Sequence, residues 1–105
     1  MDLKIHTAEN QGKHELKVIG EIDAFTAPKL KEYFENLQGI QNIQVIVDVS
    51  EVEYMDSTGL GVFVGFYKAA KDVDGHLKVI GLNKRLLRLF EITGLDEIID
   101  VESED

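Results

Sequence analysis

The chain opens on apolar and polar residues in alternation. Leu3, Ile5 and Thr7 alternate with polar neighbours and predict an edge strand. Leu16, Val18 and the run to Ile22 predict a second. The period then changes from strand to helix: Leu30, Tyr33, Phe34 and Leu37 share one helical face. Pro28 suits the start of that helix, where its missing N–H costs nothing, Thr26 suits its N-cap, and Gly39 can end it. Ile43 to Val49 is apolar and β-branched at nearly every position, which predicts a central strand covered on both faces. The strand is expected to end near Val49, with a short loop before a helix that starts at Ser57 and runs to about Lys71. Asp74-Gly75 marks a turn and Leu77 to Ile80 a further strand. Asn83 can cap a third helix on which Leu86, Leu89, Phe90 and Thr93 share a face, with Gly94 as its C-cap. Ile98 to Val101 forms a short last strand or coil.

The order strand, strand, helix, strand, helix, strand, helix, strand argues for an α/β fold, a mixed sheet with packed helices. Pro28 is the only proline, and no repeat or low-complexity linker divides the chain. One domain is therefore expected over residues 1–105, with 102–105 (Glu102-Ser103-Glu104-Asp105) a disordered acidic tail.

Composition narrows the function classes. Hydrophobic residues make up 44% of the chain, enough for a folded core. The net charge of −9, from 20 acidic and 11 basic residues, gives no basic footprint for nucleic acid and repels anionic membranes. With no cysteine there is no disulfide framework, thiolate metal site or thiol nucleophile. No run approaches the ~20 apolar residues of a membrane span. Met1-Asp2-Leu3-Lys4 has no basic segment leading into an apolar stretch. A cytoplasmic location follows as the expectation.

The candidate chemistry centres on Ser57. Where a buried strand gives way to a helix, serine is first of all a good N-cap. The same place is an anion site, because free N–H groups and the helix dipole favour negative charge. A phosphate on Ser57 is then tolerated by the fold, while its cost falls on whatever binds there. Asp56 next door adds like-charge repulsion to the roughly −1.5 to −2 charges of a phosphate. Gly59, Gly61 and Gly65 lie in the first turns of the helix, each at a cost of about 0.5–1 kcal/mol relative to alanine. Backbone must come close there, either the sheet beneath or a partner above. The helix also carries two apolar stripes, Leu60, Phe63, Val64 and Tyr67, and Val62, Phe66, Ala69 and Val73. The second packs on a neighbouring helix or, if exposed, marks a docking surface.

Enzyme readings are weak. Asp56-Ser57-Thr58-Gly59 has one residue too many for an aspartic-protease triplet, and Met55 replaces the first glycine of a Gly-x-Ser-x-Gly elbow. His6, His14 and His76 are scattered in polar strand contexts, so no metal site or general base is expected. No phosphate-binding glycine loop is present.

Tyr54-Met55-Asp56-Ser57-Thr58-Gly59-Leu60-Gly61-Val62 resembles the phosphorylation motif of bacterial anti-sigma factor antagonists, the stand-alone STAS domains. Gly20-Glu21-Ile22-Asp23 with Ala27-Pro28, and Arg88-Leu89-Phe90-Glu91-Ile92-Thr93-Gly94-Leu95, resemble that family's early loop and last helix. The likeness spans essentially the whole chain and is greatest to antagonists of the general stress-response system of Gram-positive bacteria. It implies a non-enzymatic, cofactor-free monomer that switches partners. The unmodified form binds an anti-sigma factor that is also an ATP-dependent serine kinase, and so frees the sigma factor. Phosphorylation on Ser57 ends that binding, and a PP2C-type phosphatase reverses it. The resemblance implies a partner-binding set of Asp23, Asp56, Thr58, Gly59, Leu60, Gly61 and Val62, to which the second apolar stripe adds Phe66 as a candidate, with no catalytic or metal-binding residue. Two other classes remain open: a nucleotide or small-molecule sensor using the helix N-terminus, and a scaffold subunit of a larger assembly that buries the second stripe against like domains.

Overall fold

The computed structural model describes residues 2–104. Its elements follow the predicted order: β1 (Leu3–Asn10), β2 (Lys13–Ile22), α1 (Ala27–Glu35), β3 (Gln44–Met55), α2 (Ser57–Asp72), β4 (His76–Leu82), α3 (Lys84–Ile92), a 3-10 turn over Leu95–Glu97, and β5 (Asp100–Ser103). The five strands lie in one sheet in sequence order. β1 pairs antiparallel with β2, and every other neighbour is parallel. The sheet is therefore mixed, with an antiparallel hairpin at one edge.

The alternation along the strands decides which face is covered. Leu16 and Val18 of β2, Val45, Val47 and Val49 of β3, and Leu77 and Val79 of β4 point into one core. The helices meet that core through phenylalanines, Phe34 of α1, Phe63 and Phe66 of α2, and Phe90 of α3. Phe63 of α2 lies edge-on to Phe34 of α1, with centroids 5.7 Å apart, and to Phe90 of α3 at 6.2 Å. Edge-to-face geometry sets the positive ring edge against the negative face.

The expectation that β3 is covered on both faces does not hold. β3 is central, but Gln44, Ile46 and Asp48 on its second face are only half-buried. That face carries ion pairs instead, Lys17–Glu51 at 3.0 Å and Lys78–Glu102 at 3.2 Å, and His76 Nε2 lies 2.9 Å from Asp100. Isoleucine at 46 kept the run apolar without requiring cover.

The predicted acidic tail is also corrected. Glu102 and Ser103 belong to β5, opposite Ile80 and Leu82, and the Glu104 N–H donates to the Leu82 carbonyl at 3.0 Å. Pairing with β4 satisfies the backbone, and Lys78 receives the Glu102 carboxylate. Asp105 lies outside the described residues. Nor does β3 stop near Val49. It runs on to Met55, opposite Ile22, past two register shifts in β2. Val52 and Met55 are buried along this extension. α1, in turn, ends at Glu35 rather than at Gly39.

The α2 glycines divide. A Cβ on Gly59 would stand 2.7 Å from Ile22 Cγ2 and 2.8 Å from Met55 Cγ, whereas Gly61 and Gly65 have nothing within 4 Å. The sheet beneath accounts for Gly59 alone. Gly59→Ala is therefore expected to cost about 1–3 kcal/mol by overpacking. Gly61→Ala should gain about 0.5–1 kcal/mol from helix propensity. Urea unfolding midpoints of the two variants should move in opposite directions.

Candidate functional site

β2 and β3 end side by side, and both lead straight into the segments singled out by sequence. The Asp56 N–H donates to the Ile22 carbonyl at 3.1 Å, so the start of α2 is tied to the end of β2. Ser57 is not the N-cap of α2. Asp56 is, with extended backbone angles, and its Oδ1 accepts the Thr58 N–H at 3.0 Å and the Gly59 N–H at 3.1 Å. The next N–H, of Leu60, already reaches the Asp56 carbonyl at 3.0 Å. Ser57 is the first helical residue. It is exposed, and its hydroxyl makes no hydrogen bond among the described residues.

This cap alters the electrostatics expected of the site. A carboxylate already occupies the N–H groups that would have received a phosphate. A phosphoryl group on Ser57 would stand beside that carboxylate, projecting into solvent.

Asp23 and Thr26 organise the neighbouring loop. Asp23 Oδ1 accepts the N–H groups of Phe25 at 2.9 Å and Thr26 at 3.0 Å. Thr26 Oγ1 donates to the Glu21 carbonyl at 2.7 Å and accepts the Asp23 N–H at 2.9 Å. Thr26 stands at the N-cap of α1 as predicted, yet its hydroxyl makes no capping bond because the loop has claimed it. The closed network drives Phe25 outward, where it is 92% exposed. Sequence reasoning passed over Phe25. The signal was available, a large aromatic in a six-residue stretch with Asp23 before it and Pro28 after it.

Of the expected partner-binding residues, Thr58 and Gly61 are exposed, and Asp23, Asp56 and Val62 are half-buried. Gly59, Leu60 and Phe66 lie beneath the surface instead. The Phe66 ring stacks on Phe34, with centroids 4.5 Å apart and planes 14° from parallel. The second apolar stripe thus packs on α1 within the chain, and its central ring is not free for a like domain. Above this pair, α1 and α2 leave a groove of about 510 Å³ lined by Pro28, Lys31, Thr58, Gly61, Val62 and Gly65, among others. Gly61 and Gly65 keep its wall low. Asn83, by contrast, caps α3 as predicted, through the Leu86 N–H at 2.8 Å. Gly94 takes the left-handed conformation, φ 77°, just past the end of α3. Among the described residues no three His, Asp or Glu side chains gather as a metal site, and no helix is long and apolar enough to cross a membrane.

The STAS domain family model matches residues 4–104. This chain belongs to the STAS family. The STAS chain is 48% identical over 104 residues to the anti-sigma-B factor antagonist of Listeria monocytogenes, covering 98% of this chain and 91% of that protein. An anti-sigma factor antagonist from Mycobacterium paratuberculosis superposes with a TM-score of 0.86 at 25% identity, covering 96% and 86% of the two chains. SpoIIAA, an anti-sigma factor antagonist, shares the STAS fold at 17% identity. Its unphosphorylated form gives a TM-score of 0.78 over 96% and 90% of the chains, and its phosphorylated form 0.73 over 96% and 93%.

The two N–H donors, the Thr26 backbone first, hold the Asp23 carboxyl below its ordinary value of 3.8. Because the folded pKa lies below the unfolded one, this stabilisation is complete above pH 3.8 and is lost as the pH falls through the folded value. Amide NMR shifts of Phe25 and Thr26 should titrate together with a midpoint below 3.8. Asp23→Asn should abolish that titration. A midpoint at or above the ordinary value would contradict the loop's dependence on the carboxylate.

Proposed function

We propose that this STAS domain is an anti-sigma factor antagonist of the sigma-B type, a binding protein switched by phosphorylation of Ser57. One observation carries the reading: Ser57 is exposed and unbonded at the first position of a helix whose end is already capped by Asp56. A phosphate there changes the surface and leaves the core alone. The name of the Listeria relative supports the function, and the phosphorylated form of SpoIIAA supports the compatibility of this fold with a phosphoryl group.

In this reading the unmodified protein binds an anti-sigma factor serine kinase in the cytoplasm and so releases the sigma factor. Binding uses the junction of Asp23, Asp56, Ser57, Thr58, Gly61 and Val62, with Gly59, Leu60 and Phe66 supporting it from below. Phe25 adds an exposed aromatic anchor, a residue type enriched in the buried cores of interfaces. The kinase transfers the ATP γ-phosphoryl group to the Ser57 oxygen: the γ-phosphorus bond to the bridging oxygen breaks as the ester bond forms, and ADP and the hydroxyl proton are released. The added charge beside Asp56 then repels the partner. A PP2C-type phosphatase hydrolyses the ester and restores the binding form. A nucleotide sensor at the α2 N-terminus is disfavoured, because the Asp56 carboxylate occupies the N–H groups a phosphate would need.

Incubation with the kinase and ATP, followed by phosphopeptide mapping, should place the phosphate on Ser57. Reproducible modification of Thr58 or another residue would remove the assignment. Ser57→Ala should bind the kinase constitutively. Ser57→Asp should weaken binding with an unchanged melting temperature, though by less than a phosphate does. Phe25→Ala should cost about 2 kcal/mol of binding, roughly thirtyfold in Kd by calorimetry, at unchanged stability.

A further inference from the structure

The face of α3 that turns toward the end of β3 combines exposed apolar area with unpaired cations. Tyr54, Met55, Arg85, Arg88, Leu89 and Ile92 surround a depression of about 230 Å³. Ile92 is 70% exposed and Tyr54 44%. No carboxylate belongs to this lining. Among the described residues neither guanidinium takes part in an ion pair. Glu53 and Glu104 share the adjoining groove with Lys84 and Arg85 but do not reach ion-pair distance. On a chain with net charge −9, two free arginines around an apolar hollow are a local reversal of sign.

Arginine, methionine and aromatic residues are the types enriched in interface cores. The guanidinium adds directionality, since its fork pairs a carboxylate through two parallel hydrogen bonds. The patch is also continuous with the switch: Tyr54 and Met55 immediately precede Asp56 and Ser57.

We propose that the α3 patch is a second footing for the anti-sigma factor, and that its occupant is an acidic segment bearing apolar side chains. The carboxylates pair with Arg85 and Arg88, and an apolar side chain fills the hollow between Tyr54 and Ile92. This rests on the reading that the chain binds an anti-sigma factor. The two footings have opposite electrostatics. The α3 patch attracts an acidic surface, while the Ser57 junction becomes repellent only on phosphorylation. Attraction at α3 speeds encounter and sets the salt dependence, and the junction decides whether the complex holds.

The test measures binding of purified anti-sigma factor to the whole protein at two salt concentrations. Arg85→Glu with Arg88→Glu should weaken binding by about tenfold or more and flatten its salt dependence. Arg85→Gln with Arg88→Gln should give a smaller loss in the same direction. Ile92→Ala should weaken binding several-fold with no change in salt dependence. All three positions are exposed, so melting temperatures should match the unmodified protein, and phosphorylation at Ser57 should still release the partner from each variant. Suppose instead that the charge-reversed variant binds as tightly as the native chain, with the same salt dependence, and phosphorylation still releases the partner. The α3 proposal then falls and the switch reading stands. If the native chain does not bind the anti-sigma factor at all, both fall.

Discussion

The Asp56 carboxylate accepts the Thr58 and Gly59 N–H groups in the first turn of α2, while the Asp56 N–H donates to the Ile22 carbonyl at the end of β2. Through these bonds one residue joins a strand end to a helix start. The surface proposed for partner binding depends on that junction. With the helix terminus satisfied by a fixed side chain, Ser57 has no structural duty and its hydroxyl is free for chemistry. Below the junction, Gly59 is pressed against Ile22 and Met55, so α2 cannot ride higher without opening the core.

α2 is therefore a helix of two levels. Phe63 and Phe66 tie it to the other helices through ring contacts, and Gly59 and Leu60 sit buried at its start. Thr58 and Gly61 lie at the surface, and Gly61 and Gly65 leave the groove toward α1 unfilled. In the proposed switch, a charge added on the upper level meets the partner before it meets the core, so that repulsion would act on binding while the buried contacts that hold the fold stay untouched.

The remaining contact features collect where the parallel strands end, the usual place for binding sites in α/β sheets. Asp23 serves there mainly by holding a loop, and the group it presents is Phe25. On the other side of the junction, α3 brings arginines and exposed apolar side chains beside Tyr54. Neither feature alone makes an interface. Their place beside the Ser57 junction sets an exposed aromatic, the proposed phosphorylation site and two arginines near the ends of the parallel strands.

Periodicity carried the element order, and residue type the caps at Asn83 and Gly94, because these are local choices of period and of helix-end chemistry. Motif spacing was enough to single out Ser57. What local pattern left open was every matter of who touches whom. An apolar run could not tell a sheet covered on both faces from one faced by ion pairs. An acidic ending could not reveal Lys78 waiting beside Glu102. Ser57 and Asp56 are both good capping residues, and in the folded chain it is Asp56, tied through its N–H to the Ile22 carbonyl, that caps. Whether Phe66 faced a partner or Phe34 was settled by the packing of α1, and whether Arg85 and Arg88 found carboxylates by the placement of α3. These outcomes come from contacts between distant segments, and a linear pattern has no term for them.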